Sequence, residues 1–194
     1  GLPGKVFYGW WVIAALLLVE FVGAGAGPFT FGLYIKPMSE DLGWNRTTIV
    51  AAITIRTIIT FLFAPVIGVF LDRYGPRVIM SVGVFIGGAA LISLGSVHHL
   101  WHWYLAYGVG GAMGLGLTGG LVVQTTVAKW FVRRRGWAMA ITSSGFGLGG
   151  MVTAPITQVI ISTLGWRTAW FTFGLIMCII AAPASAMVLR RTPE

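Results

Sequence analysis

Glu20 and Arg56 are the ionisable charged side chains that stand deep inside long apolar runs of this 194-residue sequence. A charge at membrane depth costs several kcal/mol, so it faces a cavity or a partner. Arg56 offers a planar fork of donors suited to a carboxylate. Glu20 offers a carboxylate that could pair with that fork or tune it. At about 1.5 Å of rise per residue, the two lie at depths their side chains can bridge. Two readings stand open: an internal ion pair, or an anion site in which Arg56 holds the solute and Glu20 couples or tunes it. The helical face through Glu20 would add Ala24, Gly27 and Phe31. Thr118, Ser143 and Ser144 are further polar groups at this depth, although such hydroxyls commonly bond their own helix backbone. Gln124, toward the inner end of its run, is a better candidate for a cavity wall.

Other chemistries find little support. His98, His99 and His102 cluster between two apolar runs without a carboxylate or cysteine beside them, so an exposed titrating loop is expected and not a metal site. No phosphate-binding glycine loop, no H-E-x-x-H and no nucleophile–base pair is present. Neither an enzyme nor a cofactor is expected. Cys178, the single cysteine, excludes an intrachain disulfide.

The elements that must position these residues follow from composition. Apolar residues make up 57% of the chain and charged ones 9%, against about 25% charged in an ordinary soluble domain. Six apolar runs succeed one another, at about 7–34, 48–71, 78–96, 104–128, 137–164 and 168–189. A lone strand could not hide its backbone polar groups in lipid, and barrel strands are shorter and alternate in polarity. The predicted fold is therefore an all-α membrane protein, one six-transmembrane-helix bundle over residues 1–194.

The net charge of +8 does not point to nucleic acid, because the basic residues sit in short loops between apolar runs. They orient the bundle instead. With a cytoplasmic N-terminus, the inside carries Lys5, Arg73, Arg77, Lys129, Arg133, Arg134, Arg135, Arg190 and Arg191, and the outside only Lys36, Arg46 and Arg167. That bias puts both termini in the cytoplasm, in a cell (inner or plasma) membrane, with anionic lipid beside the arginine cluster. Trp10, Trp11, Trp44, Trp101, Trp103, Trp130, Trp137, Trp166 and Trp170 all fall near the ends of runs, where headgroup-layer anchoring is expected. Glycines at four-residue spacing (Gly23 and Gly27, Gly83 and Gly87, Gly110 and Gly114, Gly116 and Gly120, Gly145 and Gly149) predict close helix–helix contact. Pro28, Pro65 and Pro155 predict kinks.

The loop Gly68-Val69-Phe70-Leu71-Asp72-Arg73-Tyr74-Gly75-Pro76-Arg77 joins the second run to the third. Gly68 permits close backbone approach, Gly75 a turn, and Pro76 a helix start. Asp72 can accept from helix-terminal N–H groups or pair with an arginine. The loop resembles the G-x-x-x-D-R-x-G-x-R signature of the major facilitator superfamily. That resemblance implies a gating latch built on Gly68, Asp72, Arg73, Gly75 and Arg77, with Asp72 aimed at a second six-helix half. Tyr8-Gly9-Trp10-Trp11, the segment Trp130 to Ala140, Ser143 to Gly150 and Gly165-Trp166-Arg167 are similar to monocarboxylate carriers and oxalate/formate-type antiporters. Two positions depart from related patterns: Phe29 follows Pro28 where some proton-coupled members have lysine, and Tyr107 stands where many drug/proton antiporters have arginine.

The resemblance implies secondary transport of a small organic anion, a mono- or dicarboxylate, by alternating access. Alternatives are a carrier of a different solute with Glu20 and Arg56 merely paired, and a non-transporting membrane scaffold. Because the family fold normally has twelve spans, and Gly1 is not a methionine, the length reads as half a transporter. The path would be completed by a C-terminal half or by a second copy.

Overall fold

The computed structural model describes residues 8–25, 27–131 and 134–184, and every regular element among them is helical. Lys5, Arg133, Arg190 and Arg191 lie outside the described residues. Five helical stretches are long and apolar enough to cross a membrane: Gly9–Leu42, Arg46–Leu94, Leu100–Trp130, Arg135–Leu164 and Trp166–Ala184. The second of these, α3 (Arg46–Leu94), is two rods end to end. Gly75 breaks it at φ 80° and ψ 165°, a backbone region that a side chain disfavours. Pro76 then opens the second rod, where its missing N–H costs nothing. Split at Gly75, the five stretches give six apolar rods among the described residues.

The ends and interiors of the rods differ from the expected spans in instructive ways. The first run is two helices, α1 (Tyr8–Ala24) and α2 (Pro28–Leu42). Pro28 therefore marks a break and not a kink. Thr30 closes part of the gap, its hydroxyl donating to the Gly25 carbonyl at 2.7 Å. α2 also runs eight residues beyond Tyr34, with Lys36 and Glu40 one turn apart at 4.0 Å. Hydropathy cannot see polar helical turns outside the bilayer core, which is why this stretch reads as a loop.

The fourth run is assembled from four pieces. After α4 (Leu100–Trp103) the chain widens into a π-helix at Tyr104–Gly110, then follows α5 (Gly111–Thr118), an extended Gly119, and α6 (Gly120–Trp130). α7 (Arg135–Leu164) and α8 (Trp166–Ile176) complete the bundle, α8 passing into a π-helical turn at Met177–Ala181. α3 and α7 continue through Pro65 and Pro155.

Packing follows small residues, since lipid removes the hydrophobic drive between helices. α3 lies against α5, and α1 against α7. A Cβ on Gly114 would stand 2.5 Å from the Cα of Gly87, so α5 and the second rod of α3 touch backbone to backbone. Gly145 meets the Leu17 carbonyl of α1 in the same manner, at 2.8 Å. Gly68 behaves differently: a Cβ there would meet nothing within 4 Å, so no helix of the described structure makes the close approach expected of it.

Between these crossings sits an aromatic core. Tyr34 stacks on Trp170 with ring centroids 3.9 Å apart, and Trp103 on Tyr107 at 4.9 Å. Phe31 closes on Tyr107 at 5.0 Å. Such pairs add about 0.5–1.5 kcal/mol each beyond their buried area. Trp103, Trp130, Trp166 and Trp170 are buried in protein, which corrects the expectation that all nine tryptophans anchor in the headgroup layer. Trp10, Trp11, Trp101 and Trp137 are exposed as that role demands. Arg167 ties the ends of α2, α3 and α8 together, donating to the Val97 carbonyl at 2.7 Å and pairing with Asp41 at 3.1 Å.

Candidate functional site

A cleft of about 420 Å³ opens where α1, α3, α7 and the α5–α6 break converge. α1 contributes Val19, Glu20 and Gly23, α3 contributes Arg56, and α7 contributes Ser143 and Phe146. Leu115, Thr118, Gly119 and Gly120 supply the remaining wall. The walls are mainly apolar or small, with two charged groups among them. Both Glu20 and Arg56, paired by depth in the sequence, are thus brought to one cavity.

They do not form an ion pair with each other. Arg56 Nη1 donates instead to Tyr107 Oη at 2.8 Å, and its guanidinium carbon lies 4.9 Å from the Tyr107 ring centroid. Tyr107 is buried and clamped by Phe31, Trp103 and Trp170. It sits in the π-helical stretch, a distortion that recurs at functional sites. A tyrosine so held fixes the direction of the arginine fork without neutralising it. Sequence reading treated Tyr107 only as a departure from another pattern. Its signal was a phenol inside an apolar run, which needs a partner when buried.

The remaining candidates divide. Thr118 is on the wall, but its hydroxyl donates to the Gly114 carbonyl at 2.8 Å, the backbone bond common for such residues. Ser143 lines the cleft, whereas the Ser144 hydroxyl donates to Ile141 O. Gln124 does not line it: it is exposed on α6, one turn beyond Gly120. The expected face through Glu20 also fails beyond Gly23. α1 stops at Ala24, so helical periodicity ends there, and Ala24 and Phe31 are buried in packing contacts. The break at Gly119 was likewise not foreseen. It places the break itself, Gly119 and Gly120, on the wall of the cleft.

At the far end of the first α3 rod, Asp72 Oδ1 lies 2.9 Å from Lys129 Nζ of α6. Asp72 therefore has a partner within this chain, and it is a lysine and not an arginine. Arg73 lies over the Tyr74 ring at 5.5 Å, and Arg77 is exposed just past the Gly75 break.

Comparison with known proteins places this geometry. Residues 16–194 match the Major Facilitator Superfamily. The chain belongs to that superfamily. It is 29% identical over 180 residues to the oxalate:formate antiporter of Oxalobacter formigenes, covering 93% of this chain and 42% of that protein. It is 28% identical to the probable transporter MCH2 of Saccharomyces cerevisiae, covering 95% of this chain and 38% of that protein. Against human monocarboxylate transporter 1 the identity is 24%, covering 90% of this chain and 35% of that protein. The chain spans less than half the length of each of these relatives. All three are named as transporters, not enzymes. Superfamily membership and the apolar helices make this a multi-pass membrane protein. The loop Gly68 to Arg77 of this superfamily member thus carries its break at Gly75 and its charge pair at Asp72. Among its described residues no group of three metal-ligating side chains comes together, and His99 and His102 stack on Trp101.

Proposed function

We propose that this chain forms the six-helix part of a secondary transporter that moves a small organic anion, a mono- or dicarboxylate, by alternating access, with Arg56 as the anion ligand. The observation that carries the reading is the arginine on the wall of a membrane-depth cleft, held by Tyr107 and, among the described residues, left free of any carboxylate. A guanidinium oriented by a phenol keeps donors for an incoming carboxylate. The names of the relatives, oxalate:formate antiporter and monocarboxylate transporter 1, point to the same solute class. Glu20 tunes the site and Thr118, on its wall, contributes more weakly; Gln124, off the wall, has no part in it. The reading with Glu20 and Arg56 merely paired is disfavoured, because Arg56 bonds Tyr107 instead.

In this reading both termini are cytoplasmic, and a C-terminal half or a second copy completes the path. Gly68, Asp72, Arg73, Gly75 and Arg77 form the gate on the cytoplasmic side. The Asp72–Lys129 pair is its latch, a contact that holds when one access state is occupied. Time-resolved uptake by the full-length protein in proteoliposomes tests the function, with carboxylates set against neutral solutes. Saturable carboxylate flux is expected. A protein with no saturable flux for any solute would be a membrane scaffold.

The latch has its own test. Asp72 and Lys129 are 73% and 42% exposed as side chains, so their pairing contributes little to stability. Asp72→Asn should leave the free energy of unfolding within about 0.5 kcal/mol of wild type. It should nevertheless slow initial uptake several-fold. Combining Asp72→Lys with Lys129→Asp should restore much of the rate. Uptake that ignores both changes would remove the latch role.

A further inference from the structure

The cleft wall carries one positive and one negative side chain, Arg56 on α3 and Glu20 on α1. Arg56 is held by a neutral phenol, and among the described residues Glu20 makes no hydrogen bond or ion pair. With Glu20 ionised the empty cleft is neutral in sum, its acidic and basic groups carried by different helices. A solute bearing only a carboxylate matches Arg56 and leaves Glu20 facing an apolar wall with no counter-charge. A dicarboxylate goes further, setting a second negative group in the same small volume as Glu20. Unmatched charge in a low-dielectric site is strongly disfavoured, and like charges repel there with little screening. A solute with a carboxylate at one end and a cation at the other matches both groups and leaves the loaded cleft neutral. Phe146 lines the same wall, so an aromatic ring, a group that attracts cations, stands beside the two charged groups. The volume of about 420 Å³ lies toward the small end of ligand sites, which suits a compact solute.

We propose that Glu20 orders the carboxylates this cleft takes: a small zwitterion, a carboxylate joined by a short carbon chain to an ammonium group, is preferred over a monocarboxylate of equal size, and dicarboxylates are taken least readily. The proposal rests on Arg56 as the carboxylate ligand and narrows which carboxylates are taken. Isothermal titration of the full-length protein in nanodiscs with β-alanine, propionate and succinate tests it. Wild type should bind β-alanine about tenfold more tightly than propionate, with succinate weakest. Glu20→Gln, nearly the same in shape, should weaken β-alanine by about tenfold and leave propionate and succinate as tight as before or tighter. Propionate or succinate matching β-alanine in wild type overturns the proposal, as does an unchanged order of affinity in Glu20→Gln. Should that variant fail to fold, the wild-type order alone decides. Wild type that binds none of the three also overturns the zwitterion, while the uptake panel judges Arg56 separately. Arg56→Gln should lose all three probes. If it binds propionate as wild type does, the anion-site reading falls, whatever Glu20 does.

Discussion

Arg56→Ala should abolish carboxylate uptake into proteoliposomes while the protein remains folded. The side chain is half-buried and makes no ion pair among the described residues, so its loss strands no carboxylate partner there. What it does strand is the solute. An anion entering a cleft lined by Val19, Gly23, Leu115 and Phe146 would find no cation there. Truncating one member of a desolvated charge pair costs about 2–5 kcal/mol, which corresponds to a loss of about thirtyfold to several thousandfold in the specificity of uptake. Two companions grade the effect. Arg56→Lys keeps the charge but loses the planar fork, so partial uptake should remain. Tyr107→Phe keeps the ring under the guanidinium and removes the acceptor at 2.8 Å. One hydrogen bond contributes about 1 kcal/mol net, so KM should rise about fivefold with expression unchanged. Unchanged uptake by Arg56→Ala would take Arg56 out of the site.

Gly114→Val should be the most damaging single change to the fold. Its Cβ would stand 2.5 Å from the Gly87 Cα and 2.9 Å from the Gly87 nitrogen. Backbone atoms cannot rotate away as a flexible side chain can, so the helices must separate. Overpacking of this kind costs about 3 kcal/mol. Here it would also loosen the α5 segment that precedes the Gly119 break and the cleft. The expected result is a lowered unfolding midpoint in detergent and a broadened size-exclusion peak. Gly23→Val is the control: a Cβ at Gly23 meets nothing within 4 Å. It should fold normally and crowd only the cleft. Equal stability of the two variants would show that backbone contact at Gly87 does not hold the bundle.

Much of the molecule is legible along the chain because a bilayer imposes one-dimensional rules. A span must be long, apolar and helical, so six runs in the sequence become six rods. The turn at Gly75 could be read from its place in the loop between Asp72 and Pro76, and its φ of 80° bears that out. Glycine spacing likewise announced the Gly83, Gly87 and Gly114 crossing, since close approach in lipid needs small residues. Glu20 and Arg56 stood out for the same reason, as charges where the solvent tolerates few. Those rules weaken outside the hydrocarbon layer. The polar turns of α2 beyond Tyr34 and the buried tryptophans at span ends were therefore misjudged.

The sequence by itself determined the class of protein, the number of rods, the superfamily and the two charges at membrane depth, because each follows from local composition or spacing. Only the tertiary structure decided what those charges touch. Whether Arg56 meets Glu20 or Tyr107 depends on how α1, α3 and the π-helical stretch rotate about their axes. That rotation is set by contacts such as Gly114 on Gly87 and Trp103 on Tyr107, between residues far apart in the chain. Hydropathy fixes how deep a residue lies but not which way its helix turns, and the site depends on both.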